Sequence, residues 1–387
     1  MNDEPELREC ELGPIRPPSE ALSLLVRVTR NCPWNKCAFC AVYKRTRFSR
    51  RGEQEVKGEI DLLALTAERV RSRAGSDGEG GIDARAALDL VHDSRSTDDE
   101  RRVALWLARG GSHVFLQDAD SLAIKPERLA RIVSHLTRTF PQVERVTSYS
   151  RSRTLCARSP EQLAALREAG LTRIHVGVES GSDEVLAMVR KGARAEHHVR
   201  GCRRVVEGGF DLCCYVMPAL GGRGLSEVHA RQTARVLREI DPHHVRLRTL
   251  WIDPGSPLAE MHARGEFDYP EEHEIIAEIR ELLAGLRGAR SEVISDHDRN
   301  LLVDLEGHAT RDADRMQAHC TRFLELDPET RDAFVLARRS GYFRTLDAFL
   351  ARRDGVETFR RLVADILDEG KGSLVRGMER QLRPRRL

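Results

Sequence analysis

Three cysteines within nine residues constrain this chain more than any other feature of its sequence. Cys32, Cys37 and Cys40 have the spacing C-x4-C-x2-C and directly follow an apolar, strand-like run. No fourth cysteine lies near them, because the next one along the chain is Cys156. The loop therefore offers three thiolate ligands close together.

The number of ligands limits the kind of metal centre. A structural zinc ion requires four protein ligands in a closed tetrahedron, and the first histidine after the loop is the distant His92. A [2Fe–2S] cluster with this spacing needs a fourth cysteine. A [4Fe–4S] cluster with three irons held by cysteine and one iron open remains. The alternative is three reduced core cysteines with no special role.

The composition predicts a folded protein in a reducing compartment. Hydrophobic residues make up 40% and charged residues 32% of the 387 residues, and no apolar run is long enough to cross a membrane. Nine cysteines, an odd number, without a secretory signal favour reduced thiols and a cytoplasmic location. The net charge of +2 gives no general preference for nucleic acid.

Strand-like and helix-like segments alternate along most of the chain. Six apolar or β-branched segments read as buried strands: Leu22–Thr29, Ser112–Gln117, Arg145–Ser150, Arg173–Val178, Asp211–Met217 and His244–Leu250. Helical periodicity separates them, which predicts an α/β fold with a parallel sheet. We expect an extension at 1–20, a main domain at 21–289 with a long helical first crossover at 53–110, and a helical region at 290–387.

Unusual polar residues follow the predicted strands. In a parallel β/α barrel the active site lies at the C-terminal ends of the strands. The cysteine loop follows the first predicted strand, and other polar or unusual residues follow the later ones: Asp118, Asp120, Ser148, Arg151, Glu179 and Met217. The sequence thus predicts one site at this edge of the sheet.

The cysteine loop and a second segment resemble the radical S-adenosylmethionine (SAM) superfamily. Phe39 lies just before the last cysteine, as in that superfamily, although the usual spacing there is C-x3-C-x2-C. The segment HVGVESGSDEVLAMVRKG around Glu179 is similar to a stretch found in methylthiotransferases and coproporphyrinogen dehydrogenases. The subgroup with the elongator catalytic subunit is the most similar.

The resemblance implies a fold and a reaction. The fold would be a partial (β/α)6 TIM-type barrel with a helical C-terminal extension. Cys32, Cys37 and Cys40 would bind a [4Fe-4S] cluster that cleaves SAM reductively to a 5′-deoxyadenosyl radical. That radical would abstract hydrogen from an unidentified substrate, with a small molecule favoured over tRNA or peptide. A flavodoxin or ferredoxin would supply the electron.

The resemblance also implies cofactor contacts. A carboxylate after the second strand would pair with the SAM ammonium group, and the residues after later strands would contact the ribose, the methionine carboxylate and the adenine. The expected SAM-binding residues are Phe39, Asp118, Asp120, Ser148, Arg151, Glu179, Arg190 and Met217. Among them, Glu179 would bind the ribose hydroxyls and Arg190 would approach the carboxylate.

Structural roles compete with several of these assignments. Asp118 or Asp120 would alternatively cap the next helix, and Arg190 would be a solvated helix residue. Met217 would equally be a core strand residue. For Ser182 and Asp183 we favour helix N-capping over cofactor contact.

Two further features remain outside the resemblance. His297 lies in a dense polar group between apolar runs and would be a substrate ligand or acid–base group; the favoured alternative is a polar turn with a helix N-cap. The six other cysteines are predicted to be buried small residues: Cys10, Cys156, Cys202, Cys213, Cys214 and Cys320.

Two rival functions remain for the whole chain. One is a tRNA-modifying radical SAM enzyme, and the other is a non-catalytic iron–sulfur electron carrier or sensor.

Overall fold

The computed structural model describes residues 9–76 and 81–368 of the chain. These residues divide into two compact units. Unit 1 comprises the chain up to Lys36, Val42–Gly177 and Arg200–Cys213. Unit 2 comprises Cys37–Ala41, Val178–Val199 and the chain from Cys214 onward. The outer parts of the two predicted end regions lie outside the described residues.

Unit 1 contains the first strands and the helices between them. Its strands are β1 (Leu24–Arg27), β2 (Thr29–Arg30), β3 (Ser49–Arg50), β4 (His113–Gln117), β5 (Arg145–Ser150) and most of β6 (Leu171–Glu179). Its helices are α1 (Glu53–Ala74), α2 (Ala84–His92), α3 (Asp98–Ala108), α4 (Pro126–Thr139), α5 (Ser152–Cys156) and α6 (Pro160–Glu168). Short 3₁₀ turns occupy Pro18–Glu20 and Ser121–Ala123.

The sheet of unit 1 is parallel and follows the order of the sequence. Strand β1 pairs with β4, β4 with β5 and β5 with β6, each in parallel. Leu24 lies opposite Val114, and His113 lies opposite Arg145. Because the strands run the same way, their C-terminal ends share one edge of the sheet. Asp118 follows β4 at this edge, as predicted.

Helix α1 forms where the sequence periodicity predicts it. Its apolar residues recur three to four positions apart, and Val56, Ile60 and Leu63 are all buried. The helix begins with acidic residues and ends with basic ones, which complements its dipole. The predicted second half of the first crossover also forms, as α2 and α3. Thr97 and Glu100 make a capping box that starts α3.

Unit 2 contains the later strands and the C-terminal helices. Strands β6 and β7 (Asp211–Val216) end in this unit, which also holds β8 (His244–Leu247), β9 (Glu292–Ile294) and β10 (Gly307–His308). Helix α8 (Ala195–Glu207) begins here and ends in unit 1. The remaining helices are α7 (Asp183–Met188), α9 (Gly222–Ile240), α10 (Pro257–Ala263), α11 (Glu272–Gly285), α12 (Ala313–Leu324), α13 (Pro328–Arg339), α14 (Leu346–Leu350) and α15 (Arg353–Asp368).

Several short elements were not predicted from the sequence, among them β9, β10, α5 and α10. Strand β9 pairs in parallel with β8, and β10 pairs antiparallel with β9. Both strands have three residues or fewer, and helices α5 and α10 have seven or fewer. Segments this short show no measurable periodicity, since a helical pattern needs a window of about 11 residues or more. The region after residue 290 is thus mostly helical, as predicted, with the short strands β9 and β10 at its start.

The predicted fold class is confirmed. All six predicted strands form, at β1 and β4–β8, and helices separate them as expected. The structure is α/β with a mostly parallel sheet and a helical C-terminal region. Within the described ranges, no helix has both the length and the apolar character needed to cross a membrane.

Candidate functional site

The start of the cysteine loop lies in unit 1 and is shaped by two asparagines. Asn31 and Asn35 have φ angles of 69° and 49°, in the left-handed region that asparagine tolerates better than most residues. The Asn35 side-chain amide donates to the carbonyls of Tyr43 and Thr46, which closes the loop. The Asn35 N–H also donates to Cys32 Sγ at 3.4 Å. The sulfur of Cys32 therefore has a hydrogen-bond donor from its own loop.

Asp118 is fully buried and has several partners in unit 1. Arg27 donates to Oδ2 from Nε and Nη2, each at 2.7 Å, and the Asn31 N–H donates to it at 2.9 Å. The Tyr43 hydroxyl donates to Oδ1 at 2.8 Å. These bonds join the end of β4 to the residues on both sides of the cysteine loop start. The carboxylate thus holds the loop, and its contact with a SAM ammonium group stays a prediction.

Asp120 is also fully buried, but it holds different residues. It accepts hydrogen bonds from Ser150 Oγ at 3.0 Å and Thr154 Oγ1 at 2.5 Å. Burial raises the pKa of Asp120 to about 6, although these hydrogen bonds act in the opposite direction. Its side chain does not cap the 3₁₀ turn that follows it, so the helix-cap alternative for Asp120 was wrong.

Ser148 and Arg151 lie at the end of β5. Ser148 is buried, and its hydroxyl donates to the Tyr149 carbonyl at 3.1 Å. The Arg151 guanidinium lies 5.2 Å from the ring centroid of Trp34, a residue of the cysteine loop. A cation over an indole face is attractive. Arg151 therefore ties the end of β5 to the loop, while its predicted cofactor contact remains untested.

The rest of the cysteine loop lies in unit 2 and is held by backbone hydrogen bonds. The Ala38 N–H donates to the Val189 carbonyl at 2.8 Å, and the Ala38 carbonyl accepts from Leu258 N–H at 2.9 Å. Ala38 is buried, whereas Cys37 and Cys40 on either side are only half-buried. The loop is thus fixed at its buried alanine, and the two cysteines next to it stay accessible.

Lys191 connects two of the predicted site residues in unit 2, and a backbone hydrogen bond adds a third. Its ammonium group pairs with Glu179 Oε1 at 2.9 Å and lies 5.7 Å from the Phe39 ring centroid. The Glu179 carbonyl accepts from the Met217 N–H at 3.0 Å. Phe39, Glu179 and Met217 are therefore brought together as predicted, and Lys191 is a site residue that the sequence reasoning missed.

The predictions for the residues that follow β6 were partly correct. Ser182 caps α7 as predicted, with its Oγ accepting from the Val185 N–H. Asp183 instead accepts from the Ala195 N–H at 2.7 Å, so its assignment as an N-cap was wrong. Arg190 is exposed and has a φ of 53°. It lies in the turn after α7, so its interpretation as a helix residue was wrong although its side chain is solvated, and its contact with SAM stays a prediction.

Gly181 lets the turn after β6 approach helix α9 closely. A Cβ atom at this position would lie 2.4 Å from the Gln232 carbonyl oxygen and 2.6 Å from Thr233 Cα. Backbone atoms cannot move aside as a flexible side chain would. The glycine of the E-S-G-S segment is thus required for packing.

We expect the substitution Gly181→Ala to lower the free energy of unfolding by about 1–3 kcal/mol through overpacking. Gly224→Ala is the matched control, since no heavy atom lies within 4 Å of a Cβ there. The control should change stability by less than about 1 kcal/mol. Urea denaturation measures both. Equal stabilities for the two variants would contradict the close approach.

A buried polar group in unit 2 supports the turns that hold Glu179 and Met217. His229 Nδ1 lies 2.8 Å from Ser180 Oγ, and Nε2 lies 3.1 Å from the Met217 carbonyl oxygen. Glu278 Oε1 accepts from the Ala219 N–H at 2.7 Å and lies 3.6 Å from His229 Nε2. Sequence reasoning missed both residues, because each lies on an amphipathic helix that carries many other polar residues.

Burial sets the protonation of this pair. It lowers the pKa of His229 to about 4 and raises the pKa of Glu278 to about 7. Both side chains are therefore mainly neutral at mildly acidic pH. A neutral pair avoids the cost of two buried charges.

The pH dependence of stability tests this assignment. Glu278 binds its proton more tightly in the folded state, so its contribution is present at acid pH and is lost as the pH rises through about 7. In Glu278→Gln that titration is absent. Between pH 4.5 and 8 we expect the wild type to lose up to about 3 kcal/mol relative to the variant. His229 is present in both proteins, so its own titration cancels when the stability of the variant is subtracted from that of the wild type. Parallel profiles in urea denaturation would contradict the raised pKa.

His297 lies in the predicted polar segment and does not precede a helix. Its Nδ1 accepts from the Arg299 N–H at 3.1 Å. Burial, and then the positive charges of Arg248 and Arg299, lower the pKa of His297 to about 4. The turn was thus correct and the helix N-cap was wrong. A neutral imidazole at pH 7 can accept a proton, and a catalytic role stays a prediction.

Within the described residues, the remaining cysteines form no disulfide bonds. Five of them are buried, as predicted: Cys10, Cys202, Cys213, Cys214 and Cys320. Cys156 is only half-buried, which differs from the prediction. It lies at the C-terminus of the short helix α5, beyond the last buried leucine of that helix.

The donor set of the cysteine loop suits an iron–sulfur cluster. Cys32, Cys37 and Cys40 are reduced and half-buried, and thiolates are the ligands such clusters require. In the described part of the chain, no three His, Cys, Asp or Glu side chains are arranged around a single ion. A cubane does not need that arrangement, because each cysteine binds its own iron.

Comparison with known proteins adds a family match. The sequence model of the radical SAM superfamily matches residues 26–234, which is more than half of the chain. This range includes all three loop cysteines and every predicted SAM-binding residue.

Two characterised relatives match shorter parts of the chain. The tRNA uridine(34) acetyltransferase of Methanocaldococcus infernus is 25% identical over 120 residues, which cover 30% of this chain and 22% of the relative. The heme chaperone HemW of Bacillus subtilis is 20% identical over 162 residues, or 42% of each chain. The chain thus spans less than half the length of these relatives.

Solved structures match a larger share of the chain at lower identity. Coproporphyrinogen III oxidase from Escherichia coli is 16% identical, with a TM-score of 0.43 over 68% of this chain and 52% of that one. Methylornithine synthase is 15% identical, with a TM-score of 0.42 over 77% and 68%.

Proposed function

The chain belongs to the radical SAM superfamily, and on that basis we propose that it cleaves SAM reductively and uses the resulting radical to abstract hydrogen from a small-molecule substrate. One observation supports this most directly. Three half-buried cysteines with the spacing C-x4-C-x2-C lie inside the matched range, with no fourth cysteine before Cys156. Such a loop leaves one iron of a cluster without a protein ligand.

The three loop cysteines would hold the [4Fe-4S] cluster. When bound and reduced, this cluster supplies the electron that splits SAM into methionine and a 5′-deoxyadenosyl radical. Cys32 receives an N–H donor from Asn35, which stabilises negative charge on its sulfur. Cys37 and Cys40 flank Ala38, whose two backbone bonds fix the loop. The chain thereby positions the sulfurs and limits their motion.

Glu179 and its neighbours would orient SAM in unit 2. The Glu179 carboxylate has one oxygen paired with Lys191, and its other oxygen remains for the ribose hydroxyls. Met217 is joined to the Glu179 backbone and offers an apolar surface for the adenine. Phe39 lies beside Lys191 and would cover the cluster loop. Lys191 would therefore position Glu179 without contacting the cofactor.

The other predicted SAM contacts are retained as proposals. Asp118 and Asp120 would offer a carboxylate to the ammonium group, although both already have partners in unit 1. Ser148, Arg151 and Arg190 would contact polar groups of SAM. A flavodoxin or ferredoxin would reduce the cluster, which agrees with a cytoplasmic location.

Anaerobic reconstitution with iron and sulfide tests the proposal. After reduction with dithionite and addition of SAM, we expect 5′-deoxyadenosine and methionine in equal amounts. A formed cluster with intact SAM would overturn the proposal and favour the electron carrier or sensor.

A tRNA substrate is the second candidate. The similarity to an archaeal tRNA uridine(34) acetyltransferase favours it, over 30% of this chain. If tRNA is the substrate, transcribed tRNA should stimulate 5′-deoxyadenosine release by the reconstituted protein, whereas DNA of equal length should not. Equal release with both would count against it.

A further inference from the structure

The polar segment Ser295–Asn300 is fixed over the end of β8. Asn300 is buried, and its Oδ1 accepts from the N–H and the hydroxyl of Thr249 at 2.8 and 2.9 Å. Its Nδ2 donates to the Leu247 carbonyl at 2.8 Å and to Ser295 Oγ at 2.9 Å. A single side chain therefore uses all of its polar atoms to hold this segment on the strand end.

The end of β8 lies at the same edge of the sheet as Glu179. The Met217 N–H donates to the Glu179 carbonyl at 3.0 Å. The Arg248 N–H donates to the Val216 carbonyl, and the Leu250 N–H to the Pro218 carbonyl, each at 2.9 Å. Arg248 is thus one strand beyond Met217 and two strands beyond Glu179. All of these contacts are within unit 2.

Two arginines of α13 hold the same segment from the other side. Arg338 Nη2 donates to the Asp298 carbonyl at 3.0 Å, and Arg339 Nη1 donates to the Arg299 carbonyl at 2.8 Å. Arg339 also forms an ion pair with Glu272. These two guanidinium groups are occupied by protein acceptors, so their role is to position the segment.

Arg248 and Arg299 differ from these positioning arginines. The Arg299 guanidinium lies 4.8 Å from the ring centroid of Trp251, whose side chain is 40% exposed. Arg248 is exposed, and its charge contributes to a lowered pKa of Arg299, after the larger effect of burial. Among residues 9–76 and 81–368, no carboxylate lies within 4 Å of either guanidinium. Two like charges thus lie near each other, and the charge of Asp253, more than 4 Å away, offsets that of Arg299 only in part.

We propose that Arg248, Trp251, His297 and Arg299 form a binding site for an anionic group, a carboxylate or a phosphate, of the enzyme's substrate. The inference rests on the proposed function, because it places this site at the strand edge that also holds Glu179. Guanidinium groups bind both kinds of oxyanion with charge-assisted hydrogen bonds. The anion supplies counter-charge, and the neutral His297, whose Nδ1 already accepts from the Arg299 N–H, donates one further hydrogen bond from Nε2.

The local charges favour one anionic group over a nucleic-acid strand. Nucleic-acid surfaces use a run of free cations and open aromatic faces. Here Arg246 pairs with Asp296, and Arg338 and Arg339 are already bound to the chain. One face of Trp251 is covered by Arg299. The remaining free charge is that of two guanidinium groups.

Calorimetric titration of the reconstituted full chain without SAM tests this site. The probes are inorganic phosphate, phenyl phosphate and glutarate at constant ionic strength, so that the two anion chemistries are separated. We expect saturable binding of at least one probe. Arg248→Gln and Arg299→Gln should each weaken it about tenfold or more, because each removes a charged hydrogen-bond donor. Arg360→Gln removes a half-buried arginine that pairs with Glu329 on α13, and it should leave the affinity unchanged.

The outcomes are separable from those of the SAM-cleavage test. The proposed site is overturned if none of the three probes gives a saturable heat of binding. It is also overturned if Arg360→Gln weakens the probe affinity as much as Arg248→Gln and Arg299→Gln do. Binding of a short RNA without response to the three small probes also overturns it and favours a nucleic-acid surface. Arg248→Gln guards against misfolding, because its exposed side chain has no partner in the described chain to lose. Release of 5′-deoxyadenosine is measured separately, so either proposal can fail alone.

Discussion

Cys37→Ala is expected to abolish SAM cleavage. The variant lacks one of three thiolate ligands, and no other cysteine is close in sequence to replace it. The loop then cannot hold a complete cluster, so the reconstituted variant should lose the visible absorbance of the cluster. Release of 5′-deoxyadenosine should fall by about a thousandfold or more, since the cofactor supplies the chemistry. Anaerobic spectroscopy and product chromatography measure both effects.

Cys156→Ala is the matched control for this experiment. Cys156 is half-buried like the loop cysteines but lies at the end of α5. Its removal should leave the cluster and the product yield unchanged. Cys32→Ala and Cys40→Ala should behave like Cys37→Ala. A normal cluster in Cys37→Ala would show that the loop is not the cluster site.

Asp118→Asn is expected to cause the largest loss of stability among single substitutions near the loop. The Asp118 side chain is 0% and the Arg27 side chain 11% exposed, so the change removes the fully buried partner of Arg27, which keeps the more exposed Glu11 at 2.8 Å. Breaking a buried ion pair typically costs about 3–5 kcal/mol, and because Glu11 remains we expect a loss of about 3 kcal/mol. The bonds from Tyr43 and Asn31 are weakened at the same time. Denaturation in urea measures the loss.

Asp98→Asn is the surface control for this change. Asp98 lies at the start of α3 and pairs with Arg101, and its side chain is 61% exposed. Exposed pairs contribute little, so the control should lose less than about 1 kcal/mol. The measurement also separates two roles of Asp118. A variant with normal stability but weaker SAM binding would show that Asp118 is a cofactor ligand rather than a support of the loop.

Local sequence pattern predicted the elements of this fold. Val56, Ile60 and Leu63 recur at helical spacing, and they are buried in α1 as their spacing requires. The same kind of argument located six strands and the loop with three cysteines. These features depend on residues close together in the sequence, whose spacing directly reflects the geometry of a helix or strand.

Partners distant in the sequence could not be predicted. Asp118 is 91 positions from Arg27 and 75 from Tyr43, and its carboxylate type alone was compatible with a helix cap, an ion pair or a cofactor contact. Lys191 likewise has no local signal that links it to Phe39. A side chain's role follows from the groups around it after folding.

The sequence by itself therefore determined the order of strands and helices, the position of the loop with three cysteines and the edge of the sheet where polar residues collect. Only the tertiary structure decided which charges are paired within the chain and which remain for a ligand, as Arg338 and Arg248 illustrate. The physical reason is that periodicity is a local property of the backbone. Burial and ion pairing depend instead on packing between distant segments, and they set protonation and binding capacity.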